Sequence, residues 1–187
     1  MLIMGPPGAG KGTQAQTISG HYNIPAISTG DIFRTNVKNR TPLGEATQRF
    51  LDAGEYVPDE ITNAMVRERL DDADCWRGFL LDGYPRTLAQ VAALDQVLAD
   101  QGVALDAVLA LEVETDELVR RLLERARVLG RSDDTESVIR RRQEVYAEET
   151  APLLAAYDAR GLLVRVDGTG SENKVAARCF EGLGIHA

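Results

Sequence analysis

Seven residues near the start of the chain, Gly5-Pro6-Pro7-Gly8-Ala9-Gly10-Lys11, have the types and spacing of a phosphate-binding loop. They follow a four-residue apolar run, Met1–Met4, and precede a segment with a helical pattern. A phosphate chain offers no shape to an apolar pocket, so many N–H donors must converge on one concavity. Glycines permit that because the backbone can approach closely and take positive φ. A helix starting near Lys11 adds the positive end of its dipole, and Lys11 adds a mobile charge. Loops of this kind usually continue with Ser or Thr, whose hydroxyl binds Mg²⁺. Here Gly12 stands in that place, with Thr13 after it. Mg²⁺ is therefore expected on the phosphates of a bound nucleotide and on water, not directly on this loop.

Two further clusters carry charge suited to the same chemistry. Phe79-Leu80-Leu81-Asp82 is an apolar strand ending in a carboxylate, which could meet Mg²⁺ through water. Arg86 follows Pro85, whose ring stiffens the backbone and so aims the guanidinium. Eight arginines and four acids lie between Arg120 and Arg142, a basic segment in a chain of net charge −8. Arg121 and Arg125 are four apart and share a helix face. With Arg131 and Arg142 they are the candidates for binding phosphoryl oxygens, which suit the paired donors of a guanidinium. Helical phase turns Arg120, Arg127, Arg140 and Arg141 toward solvent.

The only histidines, His21 and His186, sit at a helix end and near the last residue, outside any nucleophile–base arrangement. Phosphoryl transfer to a second phosphate fits that inventory, because a phosphomonoester with a second pKa near ~6 is already ionised at neutral pH. Such a reaction needs positioning and charge neutralisation, and arginines contribute about 10³–10⁵ to rates of this kind.

These residues need a frame, and 187 residues suffice for one compact core. Strand-like runs at Met1–Met4, Ala26–Ser28, Phe79–Leu81, Ala107–Val113 and Leu162–Val166 alternate with helical patterns, which predicts a parallel sheet covered on both faces. Helices are expected at about 11–21, 30–39, 43–53, 59–70, 88–101, 116–127, 135–160 and 172–183. Asp116 or Thr115, and Ser171, are the expected N-caps, and Pro152 should end or kink the long 135–160 helix. About fifty residues separate the second and third strands, an excursion from the sheet. The phosphate loop, Ser28-Thr29-Gly30-Asp31 and Asp82-Gly83-Tyr84-Pro85-Arg86 all leave the C-terminal strand ends, where open parallel sheets bind ligands. No apolar window approaches 18 residues, so no membrane helix is expected, and the acidic charge argues against a nucleic-acid partner. Cys75 and Cys179 lack metal-ligand spacing and read as thiols of a reducing compartment.

Four motifs, Gly5–Thr13, Ile27-Ser-Thr-Gly-Asp31, Asp82-Gly-Tyr-Pro-Arg86 and Asp167-Gly-Thr169, closely resemble those of adenylate kinases, and the resemblance runs essentially from end to end. It implies an α/β fold: a P-loop three-layer sandwich of a five-stranded parallel sheet flanked by helices, with a helical AMP-binding insertion and a short lid. The domain expectation is a core of 1–29, 71–126 and 135–187, an AMP-binding subdomain at 30–70 and a lid at 127–134. The implied reaction moves the terminal phosphoryl group from MgATP to AMP, giving two ADP.

By the same resemblance, Gly8, Ala9, Gly10, Lys11, Gly12, Thr13, Arg121, Arg125 and Gly170 would contact ATP. Thr29, Gly30, Arg34, Val57, Gly83, Arg86, Gln90, Arg131 and Arg142 would contact AMP. Lys11, Arg86, Arg121, Arg131 and Arg142 would assist transfer, while Asp133 and Asp134 would belong to the lid. A cytoplasmic monomer is expected. Two alternatives stay open. A uridylate/cytidylate kinase shares the fold and the short lid, but tends to have Ala at position 29 and lacks the Arg86–Gln90 pairing. A non-catalytic nucleotide-binding module would need no second nucleotide site.

Overall fold

The computed structural model describes residues 1–129 and 135–184 of the chain. Five parallel strands, β1 (Leu2–Met4), β2 (Ala26–Ser28), β3 (Leu80–Asp82), β4 (Val108–Glu112) and β5 (Leu163–Asp167), stand in the order β2-β3-β1-β4-β5. Alternate residues of each strand feed opposite layers. On one face Leu2, Met4, Leu81 and Val108 pack with Val91, Leu94 and Tyr157. On the other, Ile3, Leu80, Leu109 and Leu111 pack with Ile18, Val175 and Cys179. Both faces are therefore buried under helices, the arrangement that the continuous apolar strands require.

The helices of the described residues are α1 (Lys11–Tyr22), α2 (Thr29–Lys38), α3 (Pro42–Ala53), α4 (Asp59–Leu70), α5 (Leu88–Asp100), α6 (Thr115–Leu129), α7 (Glu136–Val145), α8 (Ala151–Ala159) and α9 (Glu172–Gly182). Side-chain caps start three of them: Ser28 accepts from the N–H of Asp31, Thr41 from Gly44 and Thr87 from Gln90. Ser171 occupies the N-cap position of α9 without a side-chain capping bond. α6 begins at Thr115, and the Leu118 N–H bonds to the Glu114 carbonyl, so Thr115 and Asp116 lie inside its first turn instead of capping it.

The single 135–160 helix expected from sequence is two helices joined by a π-helical turn, Tyr146–Thr150. Pro152 has no N–H to give and its ring would crowd the preceding turn. The long helix ends in the π-helical turn, and Pro152 falls in the first turn of α8, where its missing N–H costs nothing. The π-helical turn also carries Thr150 inward, where its hydroxyl donates to the Arg86 carbonyl at 3.0 Å and meets the Tyr56 hydroxyl at 2.7 Å.

Strand register sets the level of the binding rim. Ile3 and Ser28 both lie opposite Asp82, so the loops after β1, β2 and β3 leave the sheet side by side. The chain turns from β1 to one side of the sheet and from β4 to the other, which opens a crevice at the end of β1. α2 and α3 stand out from the sheet as the excursion, while α4 returns to it by burying Val66 and Leu70 in the core.

Candidate active site

Two concavities meet at the strand ends. The inner pocket lies between the sheet edge and the α2–α4 excursion, walled by Phe33, Val57, Thr62 and Tyr84. The outer cleft runs over the phosphate loop toward α6 and the start of α9. Both include Lys11, Gly30, Arg34, Gly83, Arg86 and Arg142 in their walls. These residues form one partition, with a cavity on either side.

The outer cleft is built on backbone. Gly8 has φ 90°, and a Cβ there would lie 2.9 Å from the Leu118 carbonyl, so only glycine lets the loop pack under α6. α1 starts at Lys11, and its first internal bond is from the Gln14 N–H to the Gly10 carbonyl. The N–H groups just before it have no intrahelical partners, as at any helix start, and belong to residues that line the cleft. The Ala9 side chain is in the core and its N–H donates to the Pro6 carbonyl at 3.1 Å, which shapes the loop. Gln14 is buried; its amide donates to the Glu172 carbonyl at 3.1 Å, tying α1 to α9, and its Oε1 has no partner among the described residues.

At the far side Asp167 accepts from both the N–H and the hydroxyl of Thr169, at 2.9 and 2.6 Å. Arg178 braces this turn by donating to the carbonyls of Asp167 and Thr169. Gly168 is packed so closely that a Cβ would lie 2.6 Å from Val113. Arg121 donates to Glu117 at 2.7 Å and to the Gly168 carbonyl at 3.1 Å, so its guanidinium is held against this loop. The two arginines that hold Glu117, Arg120 first and Arg121 second, push its carboxyl down to about 2.

The partition carries the electrostatics. Lys11 Nζ donates back to the carbonyls of Gly5 and Pro6 at 2.8 and 3.0 Å. Burial pushes its ammonium down to about 8; Asp82 opposes that shift, and Arg86, Arg142 and Arg125 add to it. Asp82 is itself pushed up, first by burial, against the pull of Lys11 and Arg86. Lys11, Arg86, Arg125 and Arg142 are thus close enough to act on one another around Asp82, a concentration of positive charge suited to polyanionic phosphate. A Cβ on Gly12 would point to within 3.8 Å of Asp82 Oδ2. No cluster of three metal-ligating side chains occurs among the described residues. This donor set fits a Mg²⁺ that arrives on a nucleotide, which Asp82 would meet through water.

The inner pocket interlocks buried neutral side chains with a few charged partners. Thr29, 2% exposed, donates to the Gly83 carbonyl at 2.9 Å. Arg86 Nε donates to the same carbonyl at 2.6 Å, and its guanidinium lies over the Tyr56 ring at 4.8 Å. Arg34 pairs with Asp31 at 2.6 Å above Gly30. Gln90, 1% exposed, donates to Asp59 at 2.6 Å and accepts from the Arg86 N–H at 2.7 Å.

The structure therefore gathers Thr29, Gly30, Arg34, Val57, Gly83, Arg86, Gln90 and Arg142 on the inner pocket. Gly8, Ala9, Gly10, Lys11, Gly12, Thr13, Arg121, Arg125 and Gly170 border the outer cleft. Arg131 lies outside the described residues, as do Asp133 and Asp134. One arginine assigned to solvent by helical phase is placed otherwise: Arg141 is half-buried and bonds Glu55 at 2.7 Å, linking α7 to the excursion. Arg120 is exposed, as its phase predicts, at the edge of the outer cleft, and pairs with Glu117 on its own helix at 2.7 Å. Arg127 and Arg140 do pair with acids on their own helices at the surface.

Sequence reasoning missed Tyr56, Asp59, Thr87, Gln143 and Arg178. Asp59 was legible only as the acidic first residue of a helix, and Gln143 bonds the Pro7 carbonyl at 2.9 Å across 136 positions. No local pattern signals a contact that distant.

Comparison with known proteins points one way. The adenylate kinase family profile matches residues 3–162. A Nocardioides protein named adenylate kinase is 60% identical over 185 residues, covering 99% of this chain and 97% of that protein. Proteins of the same name from Kocuria rhizophila and Thermobifida fusca are 59% and 55% identical over 183 residues, each covering 98% of this chain and 97% of the relative.

Proposed function

The chain belongs to the adenylate kinase family, and from that premise we propose how its residues divide the reaction. It is an ATP:AMP phosphotransferase, taking MgATP in the outer cleft and AMP in the inner pocket and releasing two ADP. The observation that carries this assignment is the shared partition. A phosphoryl group passing directly between two nucleotides must travel past residues common to both sites, and Lys11, Arg86 and Arg142 line both cavities.

The attacking oxygen belongs to AMP and is already ionised at neutral pH, so no side chain need remove a proton. Arg86 and Arg34 hold the AMP phosphate in line, with the Tyr56 ring beneath Arg86 fixing its plane. Lys11 leaves the Gly5 and Pro6 carbonyls and follows the moving phosphoryl group, while Arg142, Arg121 and Arg125 neutralise charge on its oxygens. The N–H groups of Gly8 and of Gly10 to Thr13 cradle the ATP phosphates. Mg²⁺ bound to those phosphates would supply further neutralisation, with Asp82 holding its waters. Arg131 joins the transfer site from the lid, residues 127–134, and residues 30–70 close over AMP, so that water is excluded from the phosphoryl group. The enzyme acts as a cytoplasmic monomer.

The adenine of AMP meets Thr29, Val57 and Gln90, which share one pocket; a pyrimidine would leave part of it empty. Incubating the protein with MgATP and AMP, CMP, UMP or GMP, and following ADP, tests this reading. AMP should be strongly preferred. Equal turnover of CMP or UMP would move the enzyme to the pyrimidine kinases, and binding without turnover would leave only a nucleotide-binding module.

A further inference from the structure

We infer that Asp59, together with the Arg86 backbone N–H, fixes the polarity of the Gln90 amide and thereby sets which purine the inner pocket accepts, a step that rests on the pocket being the AMP site. A glutamine amide is a reversible device: turned by 180° it exchanges its acceptor for its donors at nearly the same positions. A free amide would serve adenine in one orientation and hypoxanthine or guanine in the other. Adenine presents an amine donor beside a ring-nitrogen acceptor, whereas hypoxanthine presents a carbonyl acceptor beside a ring N–H donor.

In this structure the amide is held at both ends. The Arg86 backbone N–H can only donate, so the atom facing it at 2.7 Å must be Oε1. The Asp59 carboxylate can only accept, so the atom facing its Oδ1 at 2.6 Å must be Nε2. Asp59 is in turn held by the Thr87 hydroxyl, which donates to Oδ2 at 2.8 Å. Thr87 is pinned as the N-cap of α5, accepting from the Gln90 N–H at 3.2 Å. The ring closes on itself, and flipping the amide would bring donor against donor at Arg86 and acceptor against acceptor at Asp59. One Nε2 hydrogen and one Oε1 lone pair remain for the base, in the order that matches adenine. Burying unlike partners face to face is costly, which makes the lock selective. Asp59 is thus a positioning residue, placed by the first turn of α4 and acting through Gln90.

The test compares AMP with IMP, which share size and phosphate and differ at the edge that Gln90 would read. With saturating MgATP, kcat/KM is measured for both acceptors in the wild-type enzyme and in Asp59→Ala, Asp59→Asn and Gln90→Leu. Wild type should favour AMP. Asp59→Ala should lower the AMP/IMP ratio at least about tenfold while the KM for MgATP stays within about twofold. Asp59→Asn should keep most of the ratio, because Oδ1 still accepts from Nε2 and Nδ2 can donate to the Thr87 hydroxyl. If Asp59→Ala does not fold, Asp59→Leu fills the space without an acceptor and carries the same expectation. Parallel losses for AMP and IMP that leave the ratio unchanged would assign Asp59 a merely structural role and overturn the inference. A wild-type enzyme indifferent to IMP, or a Gln90→Leu ratio equal to wild type, would overturn the assignment of the pocket to adenine, and the lock with it.

Discussion

The two cavities on either side of the partition solve different recognition problems. The inner pocket relies on buried neutral groups whose partners are already chosen: Thr29 on Gly83, Gln90 between Asp59 and Arg86, Tyr84 donating to Asn63 at 2.8 Å. The outer cleft relies on open backbone N–H groups and on arginines whose acid partners sit on their own helix, as Arg121 with Glu117. Preset neutral groups discriminate, because a wrong base leaves them unpaired. Charge and backbone donors attract any polyphosphate. The contrast assigns selectivity to the acceptor side and capture to the donor side, with Lys11 common to both.

The largest expected effect removes what the sides share. Lys11→Ala should lower kcat by about 10³ or more, some 4 kcal/mol, with both nucleotides still binding by equilibrium titration. A mild loss of kcat would place transfer elsewhere than the partition. Swapping bases probes the contrast itself: GMP in place of AMP should cost at least about 10² in kcat/KM, whereas GTP in place of ATP should cost less than about tenfold. Equal penalties would break the comparison. Arg86→Ala should raise the KM for AMP by on the order of 10² through lost charge-assisted bonds, with much less change for MgATP.

A smaller effect follows from the Lys11 ammonium. Burial pushes it down to about 8, and phosphate favours its charged form, so binding MgATP takes up a proton. Affinity should therefore weaken as pH rises through about 8, approaching tenfold per unit, and Lys11→Met should flatten that limb in a pH series of titrations. The free fold behaves oppositely: between about 8 and the ordinary 10.5 the unfolded chain holds more protons, so this group's contribution to stability improves as pH rises. The smallest test concerns the platform of the outer cleft. Gly168→Ala forces a methyl against Val113 and should cost about 1–3 kcal/mol, visible as a lowered Tm, while leaving the AMP/GMP preference intact.

Much of this molecule was legible locally. Apolar runs of three to seven residues gave the strands to within a residue at every end, because parallel strands buried on both faces must be apolar throughout. The phosphate loop was readable because its chemistry is contiguous: one stretch of backbone supplies the donors, and glycine spacing reports that directly. The arginines were harder. Helical phase placed Arg120 in solvent correctly but sent Arg141 there too, and Glu55 draws that guanidinium against the excursion.

Composition and spacing by themselves determined the layered α/β frame, the level of the rim and the presence of a phosphate site, since each follows from short-range periodicity and turn geometry. Only the folded structure decided that Thr150 reaches Arg86 through a widened helical turn, that Gln143 reaches the phosphate loop, and that Asp59 grips Gln90. Those bonds join residues 31 to 136 positions apart. A hydrogen bond across such a distance depends on where whole helices pack, and packing is a property of the assembled core that no local run of residues encodes.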